Sequence, residues 1–214
     1  MRKVLRFSLW TVIILAAVVA LARATALRWW RVPEGDPYLE ASVAPTLRGG
    51  DLVLLWRLTK PKPGDLVVCP EPEAPERVVI ARVAAEGGDS IEVTGSDITL
   101  NNRRAGTTEA CKQQKFTVAH PSTGAEVEQT CQMEVLHGRA HMRGSAAGHG
   151  VQPAQVNTIV DRGKLFLVSD NRLLTYDSRE FGQVEAESCT EFVFFRLVSR
   201  AGFFDVESRM VYVR

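Results

Sequence analysis

Residues Phe7 to Ala22 read FSLWTVIILAAVVALA, an almost wholly apolar run near the N-terminus. These 16 residues would span about 24 Å as a helix, short of a hydrocarbon core of roughly 30 Å. Extension to Leu27 reaches spanning length if Arg23 snorkels to the interface, and Trp29 and Trp30 follow as interfacial aromatics do. Two readings stay open. One is an uncleaved anchor over residues 1–30, preceded by Arg2, Lys3 and Arg6. The other is a cleaved signal peptide, because Ala24-Thr25-Ala26 fits an A-x-A cleavage site. Arg23, Arg28 and Arg31 on the far side balance the charges before the run, so the charge rule does not set the orientation. Either reading exports the rest of the chain.

The remainder is long enough for one domain, or one domain with an insertion. Charged residues make up 24% and apolar residues 45% of the 214-residue chain, so a packed core is expected rather than disorder. A net charge of +1 excludes a nucleic-acid footprint. No C-x-x-C pair occurs, and neither a metal nor a cofactor is expected. The four cysteines suit an oxidising compartment. Cys111 and Cys131 bracket one polar segment and are the disulfide candidate, with buried free thiols as the alternative. That alternative fits Cys69 and Cys189 better, because both sit in apolar strand-like runs.

Past Arg31 no convincing amphipathic helix is found, and the body reads as mainly β. Short apolar or alternating runs recur at 51–56, 65–69, 77–84, 89–93, 97–100, 115–120, 126–136, 157–160, 164–169, 191–197 and 209–214, with turn residues between them. Gly50-Asp51, Gly64-Asp65 and Gly88-Asp89 each open a strand. Glycine allows positive φ there, and aspartate can bond local amides. The stretch 105–156 is polar and rich in Gly, Ala and His. It is expected to be an inserted smaller domain or long hairpin, least ordered near 138–156. It divides a β core of 31–104 and 157–214. His120, His137, His141 and His149 fall in or beside it and are read as solvated loop histidines.

Two segments carry chemistry. Ser42-Val-Ala-Pro-Thr-Leu47 alone is turn-like. Ser169-Asp-Asn-Arg-Leu-Leu-Thr-Tyr-Asp-Ser-Arg-Glu-Phe-Gly182 crowds two Asp and two Arg into a short loop, which pairs such as Asp177 with Arg179 would fix. Taken together they resemble bacterial signal peptidase I. That family carries a Ser-Met-x-Pro-Thr-Leu box near a membrane anchor and a Gly-Asp-x-Val-Val segment, here Gly64 to Val68. It then has a Lys-Arg-Val strand that ends in a Gly-Asp turn, matched by Ala81-Arg82-Val83 through Gly88-Asp89. A Gly-Asp-Asn-Arg box with a trailing Ser-x-Asp-Ser-Arg comes last. The resemblance covers about 35–100 and 160–200.

The resemblance implies a β-rich fold on the outer, periplasmic face of the cytoplasmic membrane, single-pass, in contact with lipid. It also implies cleavage of signal peptides from preproteins. Ser42 would be the nucleophile, and a lysine would be its base, kept neutral by burial. Thr175 takes the place of a serine that orients this lysine. Asp177, Arg179, Ser178, Arg82, Asp170, Asn171 and Arg172 would brace the site.

Three positions depart from the pattern. The base position is Ala81, on an apolar strand face with Val79 and Val83. Glu40 replaces a small residue on the oxyanion side, where an inward negative charge would oppose the developing one. Ser169 replaces the glycine of the box. Lys60 and Lys62 lie in a turn, and Lys164 is the least unsuitable substitute base. Three functions follow as expectations: a relative without catalysis that binds signal peptides or assists an active signal peptidase, a divergent active peptidase, or an envelope interaction protein acting through the insertion.

Overall fold

The computed structural model describes residues 2–146 and 155–213, so His149 lies outside the described residues. In chain order the elements are α1 (Arg2–Thr25), β1 (Leu27–Arg31), α2 (Pro37–Val43), β2 (Leu52–Trp56), β3 (Leu66–Pro70), β4 (Val78–Glu86), β5 (Ser90–Thr94), β6 (Asp97–Leu100), β7 (Arg103–Arg104), β8 (Gly106–Ala119), β9 (Glu126–Leu136), β10 (Arg139–Ala146), β11 (Val156–Ile159), β12 (Lys164–Val168), α3 (Ser178–Phe181), β13 (Val184–Glu185), β14 (Glu191–Val198) and β15 (Val211–Tyr212). The fold is mainly β, as the alternating runs require.

Helix α1 contains an 18-residue apolar window, Ser8–Thr25, none of it buried, which is long enough to cross a membrane. It does not continue to Leu27. Strand β1 starts there and pairs along its length with β2. Trp29 and Trp30 are therefore sheet residues, Trp29 exposed with Arg23 over its ring and Trp30 packed on a core cluster. Arg57 holds the junction. Its guanidinium donates to the Arg23 and Ala24 carbonyls, and its amide donates to Ala26 O.

Three antiparallel sheets follow among the described residues. The largest runs β1-β2-β14-β3-β4-β12-β13, with β15 added on β14. A second runs β11-β5-β6-β7, and a third β10-β9-β8. The three Gly-Asp turns share one design. Gly50, Gly64 and Gly88 have φ of 89°, 89° and 101°. The following Asp51, Asp65 and Asp89 each accept, through a side-chain oxygen, the amide three residues upstream, from Arg48, Lys62 and Glu86.

Two expectations about the middle of the chain are corrected. The segment Arg139–Ala146 is a strand, not the start of a loosely ordered loop. His137 and Gly138, both at positive φ, form a two-residue hairpin turn between β9 and β10. A second correction concerns the cysteines. Cys111–Cys131 is a disulfide, and so is Cys69–Cys189, which joins β3 to the segment before β14 across 120 residues.

Candidate active site around Ser42 and Ala81

Helices do occur past Arg31, but both are short. Asp36 caps α2 through Oδ1, which accepts from Tyr38 N and Leu39 N, and Pro37 occupies the first turn, where no amide is needed. Leu39 and Val43, one turn apart, pack into a cluster with Leu66, Ile80 and Val193. This seats α2 against β4. Ser42, one residue before the end of α2, is buried, and its hydroxyl donates to Leu39 O at 3.1 Å.

Ala81 faces the other way on β4. It lies fully buried in an apolar cluster with Val67, Val79, Val83, Leu167 and the Cys69–Cys189 disulfide, walled by Tyr176 and Phe181. The lysines with described side chains are elsewhere. Lys60 pairs with Glu187, Lys112 with Glu207 and Lys115 with Glu128; Lys164 lies near Asp161 and Glu185, and Lys62 is exposed.

Strand β4 is only partly paired on one side, although Val79, Ile80 and Ala81 are buried and only Val78 is partly exposed there. It pairs with β3 from Val78 to Arg82, but with β12 only from Arg82 to Glu86. On the β12 side, Val78–Ala81 has no strand neighbour among the described residues. Unpaired strand backbone of this kind can accept an extended peptide.

The loop after β12 draws the sequence-selected residues together. Asp170 receives Arg82 through Nε and Nη2, both at 2.8 Å, and the Thr46 hydroxyl at 2.6 Å. Burial pushes the Asp170 carboxyl up, but Arg82 beside it outweighs this and holds it below the usual range. Asn171 reaches α2 directly. Its amide group donates to Ala41 O at 2.8 Å, and its backbone N–H donates to Ser42 O at 2.9 Å. Asp177 caps α3 in a capping box with Glu180 and forms a two-point pair with Arg179 at 2.9 and 2.7 Å. Asp177 also accepts Ser169 N, and Ser178 accepts Leu167 N, so the loop is tied back to β12.

Two residues point away from the roles that the resemblance implies. The Thr175 hydroxyl donates to Glu180, whose carboxyl is raised by burial and by Asp177. Glu40 accepts Gly35 N at 2.9 Å and stands 3.7 Å from Arg200. Its carboxylate thus faces Gly35 and Arg200.

The sequence reading missed a buried ionic cluster. Arg172 donates to Ser169 O and to Glu134, which is also 3.4 Å from Arg143. His141 is wholly buried, with Nε2 at 3.1 Å from Glu134 and 3.9 Å from Asp170, so it is no solvated loop histidine. His137, exposed in the β9–β10 turn, donates from Nε2 to Ala84 O at 2.8 Å. His120, whose ring accepts Ser122 N in the β8–β9 turn, and His137 fit the earlier expectation among the described histidines, whereas His141 does not. The His-Gly dipeptide between two strand-like runs was the signal that would have revealed β10, and with it the pairing of Glu134 with His141.

The family model for signal peptidase, peptidase S26, matches residues 5–198. No curated protein sequence matches the chain.

Proposed function

The chain belongs to the signal peptidase family, peptidase S26, and from that premise we propose that it engages signal-peptide-bearing preproteins at the outer membrane face with cleavage lost or strongly reduced. Helix α1 anchors it in the cytoplasmic membrane, and the β body lies on the periplasmic side. Ser42 holds the nucleophile position, and Ala81 holds the position of the missing base. The observation that carries this reading is the setting of Ala81: a methyl group sealed in an apolar cluster, with every described lysine side chain engaged or exposed elsewhere. A serine hydroxyl without a base is a poor nucleophile. Loss of the base in a serine peptidase removes about six orders of magnitude in turnover.

The stretch of β4 beside α2 that lacks a β12 partner supports retained binding. An extended segment of a preprotein would reach it at Val78, its partly exposed end. The Arg82–Asp170 and Asp177–Arg179 pairs keep that framework rigid without taking part in proton transfer.

The test compares cleavage of a model preprotein in detergent by this chain, Ser42→Ala and Ala81→Lys, alongside binding of the same signal peptide. Expected is binding without cleavage for the unaltered chain, and unchanged binding for Ser42→Ala. Cleavage by the unaltered chain that Ser42→Ala abolishes would establish a substitute base and an active peptidase. Absence of peptide binding would point instead to an envelope role for the β8–β10 sheet.

A further inference from the structure

Strand β8 has β9 on one side and no strand on the other among the described residues. Two cavities open beside it. One of about 970 Å³ takes in Cys111, Lys112 and Gln113 of β8 together with Pro45. The other, about 540 Å³, takes in Thr117, Val118 and Ala119 together with Ala41 and Ala44. Arg48 and Arg200 line both, so these are successive stretches of one groove. Side chains of a strand alternate between its faces. At residues 117–119, which pair in register with β9, a cavity that touches three successive residues therefore runs along the strand's edge, where the free N–H and C=O groups are, whereas 111–113 lie in an irregular stretch of that pairing. Neither cavity is lined by Ser42 or Ala81.

The charges in the groove are unequally engaged. Asp51 accepts the Arg200 and Arg48 amides and Arg196. Asp205 accepts the Ser199 hydroxyl and Ser208 N. Glu207 pairs with Lys112 at 2.7 Å, and Glu40 accepts Gly35 N. The cations are less committed. Arg48 is exposed, and its side chain makes no hydrogen bond or ion pair among the described residues. Arg200 is 58% exposed, with its carboxylate neighbour, Glu40, at 3.7 Å.

We infer that this groove, which flanks Ser42 through Glu40, Ala41 and Ala44 but is not lined by it, is a docking site for an extended acidic peptide segment of another protein. The segment adds to β8 as a strand through main-chain hydrogen bonds, and its carboxylates settle on Arg48 and Arg200. The backbone pairing supplies affinity without regard to sequence, and the two guanidinium groups select for acidic side chains.

The experiment uses the full chain in non-ionic detergent and a fluorescent, end-capped peptide in which glutamate alternates with valine. A glutamine-for-glutamate version is the comparator. The acidic peptide is expected to bind, the glutamine version at least about tenfold more weakly, as loss of charge-assisted hydrogen bonds implies. Binding should weaken as salt rises. Arg48→Gln combined with Arg200→Gln should bring the acidic peptide down to the level of the glutamine one. Because both side chains are exposed, an unchanged melting temperature will show that the variant is folded. Bound peptide should slow hydrogen exchange at residues 111–113 and 117–119. The inference is overturned if the acidic peptide does not bind, if both peptides bind alike, if the double variant binds normally, or if protection falls on β4 instead of β8.

Discussion

Arg82 and Asp170 meet as a two-point pair, Nε to Oδ1 and Nη2 to Oδ2 at 2.8 Å, with both side chains sealed from solvent. Arg82 follows Ala81 on β4, and Asp170 precedes the residue whose N–H holds the Ser42 carbonyl. One pair thus couples the strand bearing Ala81 to the loop that fixes the end of α2.

Removal of one partner should be far more damaging than the pair's own net contribution. Asp170→Ala leaves a guanidinium buried without its counter-charge and strips Thr46 of its acceptor. A loss of about 3–5 kcal/mol is expected, measured by urea unfolding in detergent. Lys60→Ala, which breaks an exposed pair with Glu187, should leave the unfolding curve where it is.

Acid should loosen the chain in two stages. Burial pushes the His141 imidazole down, Arg82 adds to this, and Glu134 and Asp170 only partly oppose them. The folded state therefore binds the proton less readily than the unfolded one, and stability starts to fall as pH drops below the unfolded value near 6.5. Burial pushes Glu134 up, but Arg172, His141 and Arg143 outweigh it and bring the carboxyl down to about 2. Its contribution is present above the unfolded value of 4.5 and is lost as pH falls towards 2. The Glu134 stage is worth roughly 3 kcal/mol. His141→Asn should erase the upper stage of a melting-temperature profile and shrink, without abolishing, the lower one, because Arg172 and Arg143 still hold Glu134 down. A profile unchanged by that substitution would show that His141 does not titrate as its surroundings require.

The two disulfides should differ in weight. Cys69–Cys189 closes a separation of 120 residues and Cys111–Cys131 one of 20. Chain-entropy reasoning gives about 4–5 kcal/mol for the long loop and about 3 for the short one. The Cys69→Ala/Cys189→Ala variant should therefore unfold at lower denaturant than Cys111→Ala/Cys131→Ala. Its deficit also includes the packing lost beside Ala81, where both sulfurs are buried.

What the sequence revealed and what it hid follow from how each residue is buried. Strands such as β4 and β12 were legible because apolar side chains carry most of their burial. Strand β10 was not, since its inward residues His141, Arg143 and Ser145 are polar and are buried through charge pairing and hydrogen bonds. The first half of β8 is exposed on both faces and shows no alternation to read. Helix α2 has seven residues, too few for a helical period, although Asp36 before Pro37 was a cap signal. The Asp177–Arg179 pair was foreseen from local charge crowding. The Cys69–Cys189 bond joins residues that only the folded sheet brings together, so neither apolar context suggested it. The orientations of Glu40 and Thr175 depended on Arg200 and Glu180, partners that the motif alone does not specify.

The Ala81→Lys substitution should reveal the physics of the missing base even before any peptide is cut. A lysine placed among Val67, Val79 and Leu167 loses its hydration, and burial of this degree lowers an ammonium pKa by as much as 3–5 units. Its folded pKa then lies below the unfolded one, so the unfolded chain binds the proton more readily. Stability is lost as pH falls through the unfolded value and recovers as pH rises. Relative to Ala81→Met, which adds bulk without charge, Ala81→Lys should be destabilised by roughly 4–7 kcal/mol at neutral pH. The gap should narrow towards pH 10. If the two variants melt alike at every pH, the ammonium escapes the cluster to solvent, and this position no longer offers the neutral lysine that the family chemistry needs. If the gap is present and cleavage appears in Ala81→Lys alone, the site has kept the remaining groups its chemistry requires, with Thr175 released from Glu180 or not needed to orient the amine.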